Sequence, residues 1–430
     1  MSILFPEIYY YEVDNNFKVL FMDMGKNIFT CQMIIDVGSR VENECELGLA
    51  HFFEHMIFKG RSDNMNKDIV ESLDYLGCNY NASTSYDVTD YFISGDKQHY
   101  EFITQTILQM LFRPQFPEDK LENEISVVLE ELALYEDDHN DRFYQESKKI
   151  LFDDVDEKLI RPILGPKEKI QSFTQEKLKR FHKEKYLENE KIMIILGNID
   201  HKKIIDMIEK QFSKVKVWSP IYRSLDKQLI IPHKNNIKTG IHYVDLPVQQ
   251  CLVKICFRSI NNYSSWIICQ NILSSILVAG SSSRLFNLLR NELGLTYYQN
   301  AYGSMYKDHG LFTVSFGVKL DGLKVSVERV TDMLLNFKDV TEDEFVKVKN
   351  NFATSVLFNT EDIGNVGLTA INYIIDEKDP ERYKHIRRTI DHVKEKHINN
   401  LAKSIFVRDN MTVIIGGIMS NIKKIDINLD

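Results

Sequence analysis

Nowhere in its 430 residues does this chain reach 18 consecutive apolar side chains, so no segment is long enough to cross a bilayer as a helix. Met1 to Tyr11 lacks a charged start followed by an apolar stretch, and no secretory signal is read there. No long Lys/Arg cluster stands out and the formal net charge is −9, which argues against nucleic acid as a partner. The six cysteines, Cys31, Cys45, Cys78, Cys251, Cys256 and Cys269, form no C-x-x-C pair and read as free thiols of a reducing compartment. Together these absences point to the cytoplasm, or to the mitochondrial matrix for a chain whose presequence has been removed. What is present is the composition of a folded protein, 43% apolar and 11% aromatic. The length allows roughly two to four domains and a large core.

His51-Phe52-Phe53-Glu54-His55 carries the chemistry. Two histidines four residues apart share one face of a helix, so both imidazoles can reach one metal ion. Glu54, directly before the second histidine, projects beside them and can hold a water bound to that metal. The order is the inverted zinc-peptidase motif, H-x-x-E-H, and it makes metal-assisted hydrolysis of a peptide bond the leading expectation. Leu47, Ala50, Phe53 (or Glu54), Ile57 and Phe58 recur at helical spacing, and Gly60 offers a C-terminal stop. This predicts a packed helix under the histidines.

A catalytic zinc site usually takes three protein ligands and leaves a fourth position to water. The best donor for the third lies in Glu124 to Leu132. There Leu121, Ile125, Val128, Leu132 and Tyr135 form a helical apolar stripe. Glu124 and Glu131, seven apart, flank it on nearly the same side, where a carboxylate can turn inward toward a cation. The other reading of both is a solvated helix edge, the reading given to Glu122, Glu130 and Glu136.

The chain repeats one plan. Glu101 to Leu134 runs helix, acidic turn, helix, and so does Lys324 to Leu357. Further on, Lys191 to Gly197 and Met411 to Gly417 are short apolar, β-branched runs that read as buried strands closing a sheet. Strands open each half: Lys18 to Met22 and Thr30 to Val37, then Gly240 to Val244 and Leu252 to Phe257. Matching elements in matching order imply an internal duplication. The expected fold class is α+β, with two tandem homologous sandwich domains, each a largely antiparallel sheet covered by helices. The expected boundaries are 1–218 for the metal-binding half, 219–237 for a linker and 238–430 for a second domain without a metal motif.

These residues carry a resemblance. Gly48 to Gly60 is similar to the zinc-helix signature of the pitrilysin/insulinase family of inverted zinc metallopeptidases. That family's third ligand is a glutamate about 75 residues after the second histidine, with another glutamate seven residues earlier; here Glu131 lies 76 positions after His55, and Glu124 precedes it by seven. The resemblance implies His51, His55 and Glu131 as ligands of one zinc ion per chain, Glu54 as general base, and a supporting role, left unspecified, for Glu124. It also implies the tandem sandwich fold. The length resembles a compact branch that includes mitochondrial processing peptidase subunits and their bacterial relatives.

Gly77 to Tyr86 resembles the family's N-A-x-T strand, whose open edge lies beside the zinc and takes substrate as an added strand. By that match Asn81 and Ala82 contact substrate. From the residues alone, this small, polar stretch before Val88 to Phe92 suits a turn followed by an edge strand. The second half has no H-x-x-E-H. Its Gly280 to Phe286 is a small-residue loop leading into a helix, without the Gly-Lys-Ser/Thr ending of a phosphate loop. Leu289 to Tyr297 resembles the family's arginine and tyrosine pair. By that match Arg290 and Tyr297 contact substrate near the scissile carbonyl, and Tyr297 donates to the developing oxyanion; Tyr298 is the competing choice. Compact relatives close a chamber by pairing two chains, so the resemblance implies a homodimer, or a heterodimer with a related subunit, acting on a peptide substrate. The expected function is a zinc endopeptidase cleaving peptides or leader or presequence segments. The competing readings are a non-catalytic scaffold or partner subunit of a heterodimeric processing peptidase, and a metal-dependent hydrolase of a non-peptide substrate, against which the edge-strand segment argues.

Overall fold

The computed structural model describes residues 8–14, 16–153, 155–212, 215–217, 229–232, 237–296, 298–361 and 392–429. Its β-branched runs build two sheets. The first holds β1 (Ile8–Asp14), β2 (Phe17–Asp23), β3 (Ile28–Ile35), β4 (Asn79–Thr84), β5 (Thr89–Asp96), β6 (Lys191–Gly197) and β7 (Lys216–Val217), in the order β4-β5-β3-β6-β2-β1-β7. The second holds β8 (Gly240–Asp245), β9 (Cys251–Arg258), β10 (Gln299–Met305), β11 (Gly310–Val318) and β12 (Met411–Gly417), in the order β10-β11-β9-β12-β8. Without β1 and β7 the two orders correspond strand for strand. In each sheet one pair is parallel, β2 with β6 and β8 with β12, and every other pair is antiparallel. The fold is the expected pair of homologous α+β domains, each a largely antiparallel sheet with helices.

The runs 191–197 and 411–417 are the expected buried strands, with those bounds, and each lies inside its sheet. β6 inserts between β3 and β2, with Met193 opposite Met33 on one side and Val19 on the other. β12 inserts between β9 and β8 in the same way. Both are buried along their whole length, which is why, Lys191 and Thr412 apart, they read as continuous apolar runs instead of alternating. One expectation is corrected: residues 89–96, read from the residues as an edge strand after a turn, form an inner strand, and the small, polar stretch before them is itself the terminal strand, β4, as its resemblance to the N-A-x-T strand implied.

The helix with the two histidines is α1 (Leu49–Ile57); it ends before the Gly60 stop, with Phe58 as its cap. It is followed by α2 (Ile69–Tyr75), then by the expected helical hairpin, α3 (Tyr100–Phe112) and α4 (Glu118–Asp137), and by α5 (His139–Phe152). The counterpart hairpin is Leu323–Leu335 with Glu342–Glu361. Among the described residues no helix is long and apolar enough to cross a membrane. All six cysteines are free, and only Cys45 is exposed.

The chain divides into two compact units: the described residues of Met1–Leu134, Arg161–Ile221 and Leu357–Tyr373, and those of Tyr135–Ile160, Tyr222–Val356 and Ile374–Asp430. α5, which lies inside the expected first domain of 1–218, falls in the second unit. Its buried Phe143, Leu151 and Phe152 explain this. α5 packs on β8 and β12, Phe143 reaches Gly416, and the guanidinium of buried Arg258 lies 4.8 Å from the Phe152 ring. Of the expected linker, 219–228 and 233–236 lie outside the described residues.

α1 is seated in the core of its unit by its own apolar face. Phe53 is fully buried, and its ring lies 4.1 Å from that of Tyr186 and 5.1 Å from that of Phe116; the Phe52 ring lies 5.0 Å from that of Phe173, tilted against it. Phe53→Ala is expected to cost about 3–5 kcal/mol, read as a lower urea midpoint for the unfolding transition of the first unit.

Candidate metal centre

A helix start leaves backbone N–H groups without partners. At α1 they are met by the buried side chain of Glu42, whose Oε2 accepts from Gly48 N at 2.9 Å and Oε1 from Ala50 N at 2.7 Å. Burial pushes this carboxyl up to about 8, although the two N–H groups and Arg161 pull it down. Gly48 turns into the helix with φ +86°, and a Cβ there would lie 2.2 Å from the carbonyl oxygen of Leu164. Only glycine fits this approach. Ala50 is the residue before His51, so cap and glycine together fix the turn that carries the first histidine.

The next turn carries Glu54 and His55. The imidazoles of His51 and His55 stand with ring centroids 4.7 Å apart. α4 supplies two carboxylates to them. Glu131 places Oε1 3.6 Å from His51 Nε2 and Oε2 3.3 Å from His55 Nε2. Glu124 accepts from His55 Nδ1 at 2.8 Å and pairs with Lys59 Nζ at 2.6 Å. The heptad spacing thus serves two tasks: Glu131 faces the open side of both rings, and Glu124, one of two buried residues on α4, holds the back of one. Glu54 is half-buried beside them, and its Oε2 accepts from Thr84 Oγ1 on β4 at 2.6 Å. β4 is the terminal strand of its sheet, so Asn81 and Ala82 lie on an edge strand.

Residues 18–167 match the insulinase family, peptidase family M16, and residues 172–352 match the peptidase M16 inactive domain. The chain belongs to the insulinase (M16) peptidase family. It is 27% identical over 420 residues to an uncharacterized zinc protease of Rickettsia felis, covering 93% of this chain and 98% of that one. It is 27% identical over 384 residues to the uncharacterized zinc protease YmxG of Bacillus subtilis, covering 89% and 91%. Among solved structures, a protease from Helicobacter pylori shares the fold with TM-score 0.81 at 19% identity, over 96% of this chain and all of that one.

Relatives in the M16 family are named zinc proteases, and the residues here fit that ion. Donor atoms of His51, His55 and Glu131 all lie within 4.8 Å of one another, and two imidazoles with one carboxylate are a donor set that zinc accepts. The bond from His55 Nδ1 to Glu124 directs Nε2, the nitrogen facing Glu131, toward a metal. His51 has no such support: its Nδ1 is buried without a hydrogen-bond partner among the described residues.

The charges divide unevenly. Burial, then the neighbouring His55, lowers His51 to about 4. Burial also opposes charge on His55, but hydrogen bonds with Glu124 and Glu131 and their negative charges outweigh it and raise the group to about 9. Both carboxylates are lowered, Glu131 chiefly by the bond with His55, and Glu124 by His55 and Lys59 against the effect of burial. Glu54 is raised by burial, against the pull of Thr84 and His55.

Of the M16-type substrate residues expected in the second half, Arg290 is exposed, 5.2 Å from the Phe286 ring, and Tyr297 lies outside the described residues. Three contributors went unread in the sequence. Lys59, four after His55, had a helical-spacing signal. Thr84 sits inside the 77–86 strand segment, where the pattern gave it no role. Glu42 reaches α1 across a loop and left no signal.

Below about pH 9 the His55 ring carries a proton that zinc must displace. Zinc uptake near pH 7 is therefore expected to release about one proton, and affinity to rise about tenfold per pH unit before levelling off near 9. Titration calorimetry in two buffers of different ionisation heat counts that proton. Glu124→Gln should weaken the metal about 10–100-fold and release fewer protons.

Proposed function

We propose that this chain is a zinc-dependent endopeptidase that cleaves peptides, or leader or presequence segments, inside a chamber formed by two paired chains. The observation that carries the reading is the convergence of His51, His55 and Glu131, with Glu54 beside them and an edge strand one hydrogen bond away. The names of the curated relatives support the choice of metal.

His51, His55 and Glu131 would hold the ion. Zinc bound there supplies Lewis acidity, polarising the scissile carbonyl and lowering the pKa of the attacking water toward neutrality. Glu54, whose proton affinity burial has already raised, takes a proton from that water and returns it to the departing amine. The peptide adds to β4 through main-chain hydrogen bonds, so that Asn81 and Ala82 contact it with little demand on its sequence. Arg290 and Tyr297 serve the carbonyl from the second half of a chain, the role that their match to the family's pair supports.

Glu54→Gln should keep its zinc and lose several orders of magnitude in kcat/KM, measured on a quenched peptide; near-normal turnover would refute the base. His51→Ala and Glu131→Gln should instead lose the metal, as elemental analysis would show. The paired-chain chamber is tested by sedimentation: a dimer, of like or related chains, is expected in the active fraction, and a fully active monomer contradicts the pairing.

A further inference from the structure

Glu54 is joined to a strand as well as to its helix. Along β4 the side chains of Asn79, Asn81 and Ser83 are exposed, whereas those of Tyr80, Ala82 and Thr84 are half-buried. That inner row meets α1 and its flank: the Tyr80 ring lies 5.8 Å from that of Phe58, and Thr84 Oγ1 donates to Glu54 Oε2 at 2.6 Å. Among the described residues this is the one hydrogen bond that the Glu54 carboxyl receives. Its electrostatic surroundings do not hold it in place. The carboxylates of Glu131 and Asp90 repel it, and His55 alone attracts it. A glutamate with three rotatable bonds and two repulsive carboxylates nearby has other rotamers to occupy. The Thr84 hydroxyl selects one.

The strand that supplies this hydroxyl is terminal in its sheet. Its main chain is therefore open on the side away from β5, while its inner side chain fixes the carboxyl. One residue thus belongs to two tasks, and any shift of β4 along its own direction moves the Glu54 carboxyl with it.

We propose that Thr84 is a positioning residue for Glu54, tying the carboxylate that receives the proton to the strand that receives the peptide. The proposal rests on the zinc-peptidase reading above. Thr84→Val keeps the shape and removes the donor; Thr84→Ser keeps the donor. For Thr84→Val we expect kcat to fall by about tenfold to a hundredfold, with KM, zinc content and Tm near wild-type values. Thr84→Ser should recover most of that loss. In the Glu54→Gln background Thr84→Val should add nothing further, because the group it positions is gone. Wild-type turnover by Thr84→Val beside an inactive Glu54→Gln overturns the role of Thr84 and leaves the peptidase reading standing. An active Glu54→Gln overturns the peptidase reading itself. Loss of zinc or of Tm in Thr84→Val, or a further drop in the double variant, assigns Thr84 a structural role and overturns the inference as well.

Discussion

Ionisable groups withdrawn from water stay charged only when something of opposite sign faces them, and the first unit is arranged around that constraint. His55 meets it with Glu124 behind and Glu131 in front, and Lys59 closes the chain of charges on the far side of Glu124. His51 meets it only in part, and its proton affinity drops accordingly. The packing of α1 against α4 is thus specified by charge pairing as much as by apolar contact, since α4 buries only Glu124 and Val128 outright. Leu121, Ile125, Leu129 and Leu132 add partly buried contacts to the core, and the rotation that these contacts and the charge pairs set decides whether Glu131 meets both imidazoles or neither.

Backbone placement precedes this. Glu42 and Gly48 set the start of α1, Phe52 and Phe53 seat it, and the histidines then point where the helix points. The loop before Glu42 is tied in turn to the end of β4: Ser39 N and Arg40 N donate to the carbonyls of Ser85 and Tyr86, and Arg40 pairs with Asp87 at 2.8 Å. A Cβ on Gly38 would collide with those same carbonyls at 2.5 Å. The edge strand and the metal-facing helix are therefore anchored to one another at two points, the loop 38–42 and the bond from Thr84 to Glu54.

Local pattern made much of this legible. The histidine helix, the hairpin of α3 and α4, and the largely apolar strands at 191–197 and 411–417 follow from spacing and composition, and the pairing of Glu124 with Glu131 follows from a heptad. What stayed hidden depends on contacts distant in sequence. Nothing in Lys191 to Gly197 says that it slots between two earlier strands instead of capping them. Nothing in α5 says that Phe143 and Phe152 serve the second sheet, because an amphipathic face does not name its partner. The division of labour between Glu124 and Glu131 likewise needed three dimensions, since both occupy the same helix edge.

The central place of β6 bears on how the first unit comes into being during synthesis. Until Gly197 has left the ribosome, β2 and β3 each present an unpaired edge, and the sheet exists as two ribbons with a strand-wide slot between them. Such edges invite pairing with other chains, and the long separation between β3 and β6 makes closure slow. By then α1 and α4 have long since emerged. The histidines and carboxylates wait on a scaffold that the last inner strand completes, so a nascent chain is exposed to misassembly for most of the time the ribosome takes to make its first half.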